Sequence, residues 1–138
     1  GETVAVKYAM EAAKTAGAKK ALEQAVSGAF HSPLMEGAKE ALQRVLRTAE
    51  FKPAKVPVYC NVDAQPTTDP EQLKENLVKQ LDSPVLWEDS VARMVADGAG
   101  EFVEIGPGRV LQGLVRRINR DVTVRGLGSL EDLEGITA

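Results

Sequence analysis

The chain has 138 residues, 43% hydrophobic and 27% charged, with a formal net charge of -3. This is the size and composition of about one ordinary globular domain, and its slight negative balance offers no basic stripe for nucleic acid. No apolar run approaches the ~20 residues of a membrane-spanning helix, so no membrane partner is expected. The lone His31 and the lone Cys60 cannot make a zinc set. With no second cysteine there is no internal disulfide, and no signal-peptide pattern is present, which points to the cytoplasm. The chain opens at Gly1, without Met, in the lead-in to a helix. A piece of a longer protein, or a processed product, is therefore expected.

Thr3 to Ala16 predicts a helix with Val6, Met10 and Ala13 on one face and Gly17 closing it. From Lys20 to Val26 the alternation of Leu22 and Val26 with polar residues predicts a short half-buried strand. Ser32-Pro33 reads as an N-cap followed by Pro at the first helical position. The helix it opens is expected to turn Met35, Ala38, Leu42, Val45, Leu46 and Ala49 to the core and to end before Pro53.

Val56 to Val62 is nearly continuous in apolar residues, as in a strand buried on both faces. Asp69, Pro70 and Gln72 form a capping signature for a helix to about Leu81. Ser83-Pro84 repeats the start signal for a helix lined by Val85, Val91, Met94 and Val95 and stopped at Gly98. A strand over Glu101 to Ile105, a Gly106-Pro107-Gly108 turn, a helix over Val110 to Ile118 and a strand over Val122 to Arg125 complete the series. Strands alternating with helices imply crossover units and a parallel sheet, an α/β fold. With three such strands the sheet is thin, and an unpaired edge is expected.

His31 is the one side chain that can move protons near neutral pH without a perturbed pKa. It lies in a loop with Gly28 and Phe30, just before a helix start. Catalysis and an ordinary structural histidine both remain open on these residues alone. Gly106-Pro107-Gly108 could cradle a phosphate, but the dinucleotide pattern wants a Gly where Leu111 stands, which favours a plain turn. Arg109, Arg116, Arg117 and Arg120 are either a solvated face or an anion site. Lys19 and Lys20, read alone, are a surface pair.

Four blocks then occur in a telling order. They are Val26-Ser27-Gly28-Ala29-Phe30-His31-Ser32-Pro33-Leu34-Met35, Pro57 to Asp63, Gln80 to Trp87, and Glu104-Ile105-Gly106-Pro107-Gly108-Arg109-Val110-Leu111. Together they closely resemble the C-terminal part of the malonyl-CoA:acyl-carrier-protein transacylases, over nearly the whole chain. The resemblance implies a parallel-sheet, α/β-hydrolase-like acyltransferase subdomain over residues 27–138. It also implies that residues 1–26 are the end of a ferredoxin-like small subdomain.

The implied chemistry is malonyl transfer from malonyl-CoA to the phosphopantetheine thiol of acyl carrier protein, through a seryl acyl-enzyme and without a cofactor. His31 matches the family's base, and Gln80 the residue whose backbone carbonyl orients it. Phe30 matches a position that favours malonyl over methylmalonyl, although it could also simply pack the loop. Lys19 and Lys20 match a basic pair suited to an acidic carrier protein. No Gly-x-Ser-x-Gly elbow occurs in the 138 residues, and the malonate-binding Arg has no counterpart. The implied partner is therefore a missing N-terminal half that carries both, and the chain alone is expected to be inactive. The alternative is a noncatalytic fragment or scaffold that folds by association with a partner chain.

Overall fold

Val6, Met10 and Ala13 are the only residues half-buried in the first helix, α1 (Thr3–Thr15). The computed structural model describes residues 2–23, 26 and 28–134. Gly17, at φ +94, lets the amide of Ala18 reach back to the Ala13 carbonyl and closes the helix end. No strand forms at residues 20–23 or 26, and the remainder of the predicted Lys20 to Val26 strand lies outside the described residues. Leu22 and Val26 are exposed, so this alternation has no apolar layer to face.

Ser32 does not cap a helix. Its hydroxyl donates to the Ala29 carbonyl at 2.7 Å, and a 3-10 turn over Pro33–Met35 leads into α2 (Glu36–Thr48). The inward stripe of α2 is Lys39, Leu42, Gln43 and Leu46, of which only Leu46 is buried. Ala38 and Val45, expected in the core, are exposed. Met35, Leu42 and Ala49 are half-buried as expected, and Lys39 joins the inward stripe by pairing with Asp82, just beyond the C-terminal end of the next helix.

The Val56 to Val62 run is not a long buried strand. It yields β1 (Val58–Tyr59), paired antiparallel with β2 (Pro66–Thr67), while Val56 and Val58 stay exposed. Apolar residues specify a doubly buried strand only where layers cover both faces; here Tyr59, Cys60 and Val62 are half-buried and no residue of the run is fully buried. Helix α3 (Pro70–Gln80) starts as predicted, with the amide of Gln72 donating to Asp69 Oδ1 at 2.8 Å. The Gln72 side chain does not reach back to the cap. It donates to Asn76 Oδ1, and buried Asn76 donates in turn to Asp63.

Helix α4 (Trp87–Ala96) begins three residues beyond Pro84. The chain at 84–86 is held elsewhere: the Leu86 amide donates to the Asn61 carbonyl at 2.8 Å, and Val85 is exposed. Then β3 (Glu101–Ile105), α5 (Val110–Ile118), β4 (Thr123–Leu127) and α6 (Leu130–Glu134) follow. β3 and β4 pair in parallel, with Glu101 opposite Thr123 and Ile105 opposite Leu127. This is the predicted crossover unit, with two strands rather than three in the parallel sheet. Phe102, Glu104 and Val124 turn toward α5, while Val103 and Ile105 leave the other face open. The core lies where α4 meets α5, around Val91 and Val115, at 0% and 2% exposure.

Candidate active site

His31 occupies the left-handed region at φ +59, which costs a non-glycine residue about 1 kcal/mol or more. Two hydrogen bonds to the end of α3 hold it there. Its amide donates to the Leu81 carbonyl at 3.1 Å, and its ring Nδ1 lies 2.9 Å from the Gln80 carbonyl. A carbonyl oxygen can only accept, so this contact places the proton on Nδ1. The Gln80 side-chain amide also lies 3.5 Å from Nδ1, but its two N–H groups have nearer acceptors in the Ser83 and Pro84 carbonyls. In the neutral ring the lone pair then sits on Nε2, and His31 is exposed. An imidazole locked in this tautomer can take a proton at Nε2 while the carbonyl dipole stabilises the cation that results.

The supporting turn is itself tied down. The Gln80 side-chain amide donates to the Ser83 and Pro84 carbonyls, each at 3.1 Å, closing the backbone that follows α3. Asp82 pairs with Lys39 of α2. That hydrogen bond holds the Asp82 carboxyl below its usual range and the Lys39 ammonium above its own. Neither the Gln80 side-chain role nor this ion pair is visible in the sequence, since the partners of the pair lie 43 residues apart.

Phe30 precedes the imidazole and is 55% exposed, with its ring against Gly28: a Cβ on Gly28 would lie 3.3 Å from Phe30 Cε2. The two residues thus shape the loop together. Lys19 and Lys20 are exposed beyond α1 and enter no ion pair among the described residues. Among those residues, no group of His, Cys, Asp and Glu could hold a metal ion, and no helix is long and apolar enough to cross a membrane.

The Gly106-Pro107-Gly108 turn brings no phosphate cradle. Both glycines have positive φ, and two amides of the first turn of α5, those of Leu111 and Gln112, donate to the Glu104 carboxylate at 3.0 and 3.2 Å. The chain's own anion fills the place a phosphate would take. Burial raises the Glu104 pKa, but these amides outweigh it and hold the group below its ordinary value. Of the arginines considered for an anion site, Arg116 donates to the Val124 carbonyl at 2.9 Å, which anchors α5 to β4.

The sequence model for the acyl transferase domain matches residues 1–129. Malonyl CoA-acyl carrier protein transacylase of Staphylococcus aureus (strain COL) is 43% identical over 135 residues, 98% of this chain and 44% of the relative. The Bacillus subtilis (strain 168) protein of the same name is 44% identical over 134 residues, 97% of this chain and 42% of that protein. Among solved structures, acyl-carrier-protein-S-malonyltransferase from Bartonella henselae superposes with a TM-score of 0.91 at 39% identity, covering 99% of this chain and 43% of that one. A malonyl-transacylase solved with a type II polyketide acyl-carrier protein, PlMCAT:AntF, gives 0.90 at 40% identity, covering 97% of this chain and 43% of that one. The chain therefore spans less than half the length of the relatives it matches.

Proposed function

From the premise that this chain belongs to the acyl transferase domain family, we propose that it supplies the general base for malonyl transfer from malonyl-CoA to the phosphopantetheine thiol of acyl carrier protein. His31 Nε2 accepts the proton of a serine hydroxyl as the serine oxygen bonds to the thioester carbon. The C–S bond then breaks, and the imidazolium returns the proton to the departing CoA sulfur. In the second half the carrier thiol gives its proton to Nε2 and attacks the seryl ester, and the serine oxygen leaves with that proton.

The observation that carries this proposal is the 2.9 Å contact between His31 Nδ1 and the Gln80 carbonyl. It prepares the ring as a base without a carboxylate partner. Phe30, the residue before His31, is assigned to acyl selection, and Lys19 and Lys20 to docking of an acidic carrier.

The serine belongs to polypeptide outside these 138 residues, so the chain alone is expected to be inactive. Residues 27–138 are assigned to the large subdomain and residues 1–26 to the end of a small ferredoxin-like one. The absence of buried residues in α1 supports that division, and the uncovered Val103 and Ile105 suit a further layer contributed by an N-terminal half. A cytoplasmic setting accords with unpaired Cys60.

The decisive assay joins this chain to the preceding half and follows malonyl transfer from malonyl-CoA to the holo carrier protein. His31→Ala is expected to lower the rate by about 10⁴-fold or more. Full activity in that variant would falsify the assignment of the base.

A further inference from the structure

Residues 80, 81 and 82 follow one another at the end of α3, and each holds the His31 side of the molecule by a different group. The carbonyl of Gln80 accepts from the imidazole, the carbonyl of Leu81 accepts from the His31 amide, and the carboxylate of Asp82 binds Lys39 Nζ at 2.5 Å. Lys39 stands in the first turn of α2, at the near end of its inward stripe. Its side chain and that of Asp82 are only 22% and 21% exposed, so solvent screens the pair less than a surface pair.

Little else fastens α2 to α3. Leu46 is the one buried residue of α2 among those described. Between Leu46 and Lys39 the helices part around an open groove of about 610 Å³, lined by Gln43, Arg47, Glu71 and Val78 among others. Along this groove the buried Leu46 stands toward one end of α2, and the ion pair joins the other end, nearest the imidazole, to the turn that follows α3. A three-residue 3-10 turn joins α2 directly to the His31 loop, so movement of α2 is passed to the ring. A displacement of about 1 Å at this point is enough to spoil an aligned hydrogen bond.

We propose that Lys39 and Asp82 are positioning residues for His31: their ion pair locks α2 against the end of α3 and so holds the imidazole in its Nδ1–H tautomer on the Gln80 carbonyl. The pair's weight in catalysis rests on His31 being the base; its effect on the ring does not.

The test uses the complete enzyme, assembled from this chain labelled with 15N-histidine and an unlabelled preceding half, so that the single imidazole of these 138 residues gives the one set of labelled ring-nitrogen signals. At a pH where the ring is neutral, the wild-type chain is expected to show a protonated Nδ1 and a bare Nε2. Lys39→Gln and Asp82→Asn each break the pair, and each is expected to move the tautomer ratio toward Nε2–H by about five-fold or more. Lys39→Arg, which keeps the charge, is expected to retain the wild-type ratio. Circular dichroism and the amide spectrum report folding. Gln forms helix about as well as Lys, so Lys39→Gln carries the test should Asp82→Asn unfold.

A folded Lys39→Gln chain with the wild-type ratio overturns the proposal, as does a wild-type ring with no preference for Nδ1–H. No substrate enters the measurement. A ratio that shifts on breaking the pair therefore supports the positioning role even if a His31→Ala enzyme still transfers malonyl, an outcome that would remove only the base assignment.

Discussion

The amide of His31 donates to the carbonyl of Leu81 at 3.1 Å, which fastens the loop backbone to the same turn that receives the ring. This bond holds a β-carbon-bearing residue at φ +59. Alanine keeps the steric cost of that angle, whereas glycine does not. In urea unfolding of the 138-residue chain, His31→Gly is expected to be more stable than His31→Ala by about 1 kcal/mol. Equal midpoints would mean that the loop relaxes away from the left-handed region once the ring is gone.

Phe30→Ser tests acyl selection in the complete enzyme. Phe30 directly precedes His31 in the chain and its ring is 55% exposed, so its removal is expected to open room for an extra methyl on the acyl α-carbon. The preference for malonyl over methylmalonyl, read as a ratio of kcat/KM values, is expected to fall by roughly ten-fold. An unchanged ratio would assign Phe30 to packing against Gly28 alone.

Reversing Lys19 and Lys20 to Glu probes the carrier-protein surface. Both are exposed, so the fold is expected to be unaffected. KM for the carrier should rise roughly five-fold at low salt with kcat unchanged, and the difference should shrink near about 0.5 M NaCl. A KM independent of these charges would leave them as an idle surface pair.

Glu104 makes part of the stability depend on pH. Burial works against its carboxylate, but the Leu111 and Gln112 amides prevail, so its folded pKa is depressed. Its contribution is therefore complete above the ordinary glutamate value of about 4.3. It is lost as pH falls from there through the lowered folded value. Asp82, Asp97 and Asp132 shift in the same direction, so Glu104→Gln is expected to flatten the acid limb of the unfolding curve without abolishing it. Superimposable acid limbs for the two chains would show that the carboxylate does not hold the α5 amides in solution.

The elements that matched expectation are those whose signals are local. Asp69 caps α3 through an amide three residues away, Gly17 and Gly98 end helices with positive φ, and β3, α5 and β4 follow their alternation and turn residues. Where the structure differs from these local signals, a partner distant in the chain decides the outcome. The Ser83-Pro84 start signal is overruled by the Leu86 amide donating to Asn61, and Lys39 joins the inward stripe of α2, where Ala38 and Val45 were expected, by pairing with Asp82. The Val56 to Val62 run shortened to two paired residues because an apolar pattern records a capacity to be buried, and the covering layers are a separate matter.

By itself the sequence determined which residue types stand beside the lone histidine, where most helices begin and end, and, through four ordered blocks, a likeness to one family. Tertiary structure alone decided that the ring meets a carbonyl 49 residues away and that an ion pair spanning 43 residues closes the same end of two helices. Caps, turns and periodicity act over a few covalent bonds and can be read in order along the chain. Contacts across such separations exist only after packing has brought the helices together, and no run of neighbouring residues encodes them.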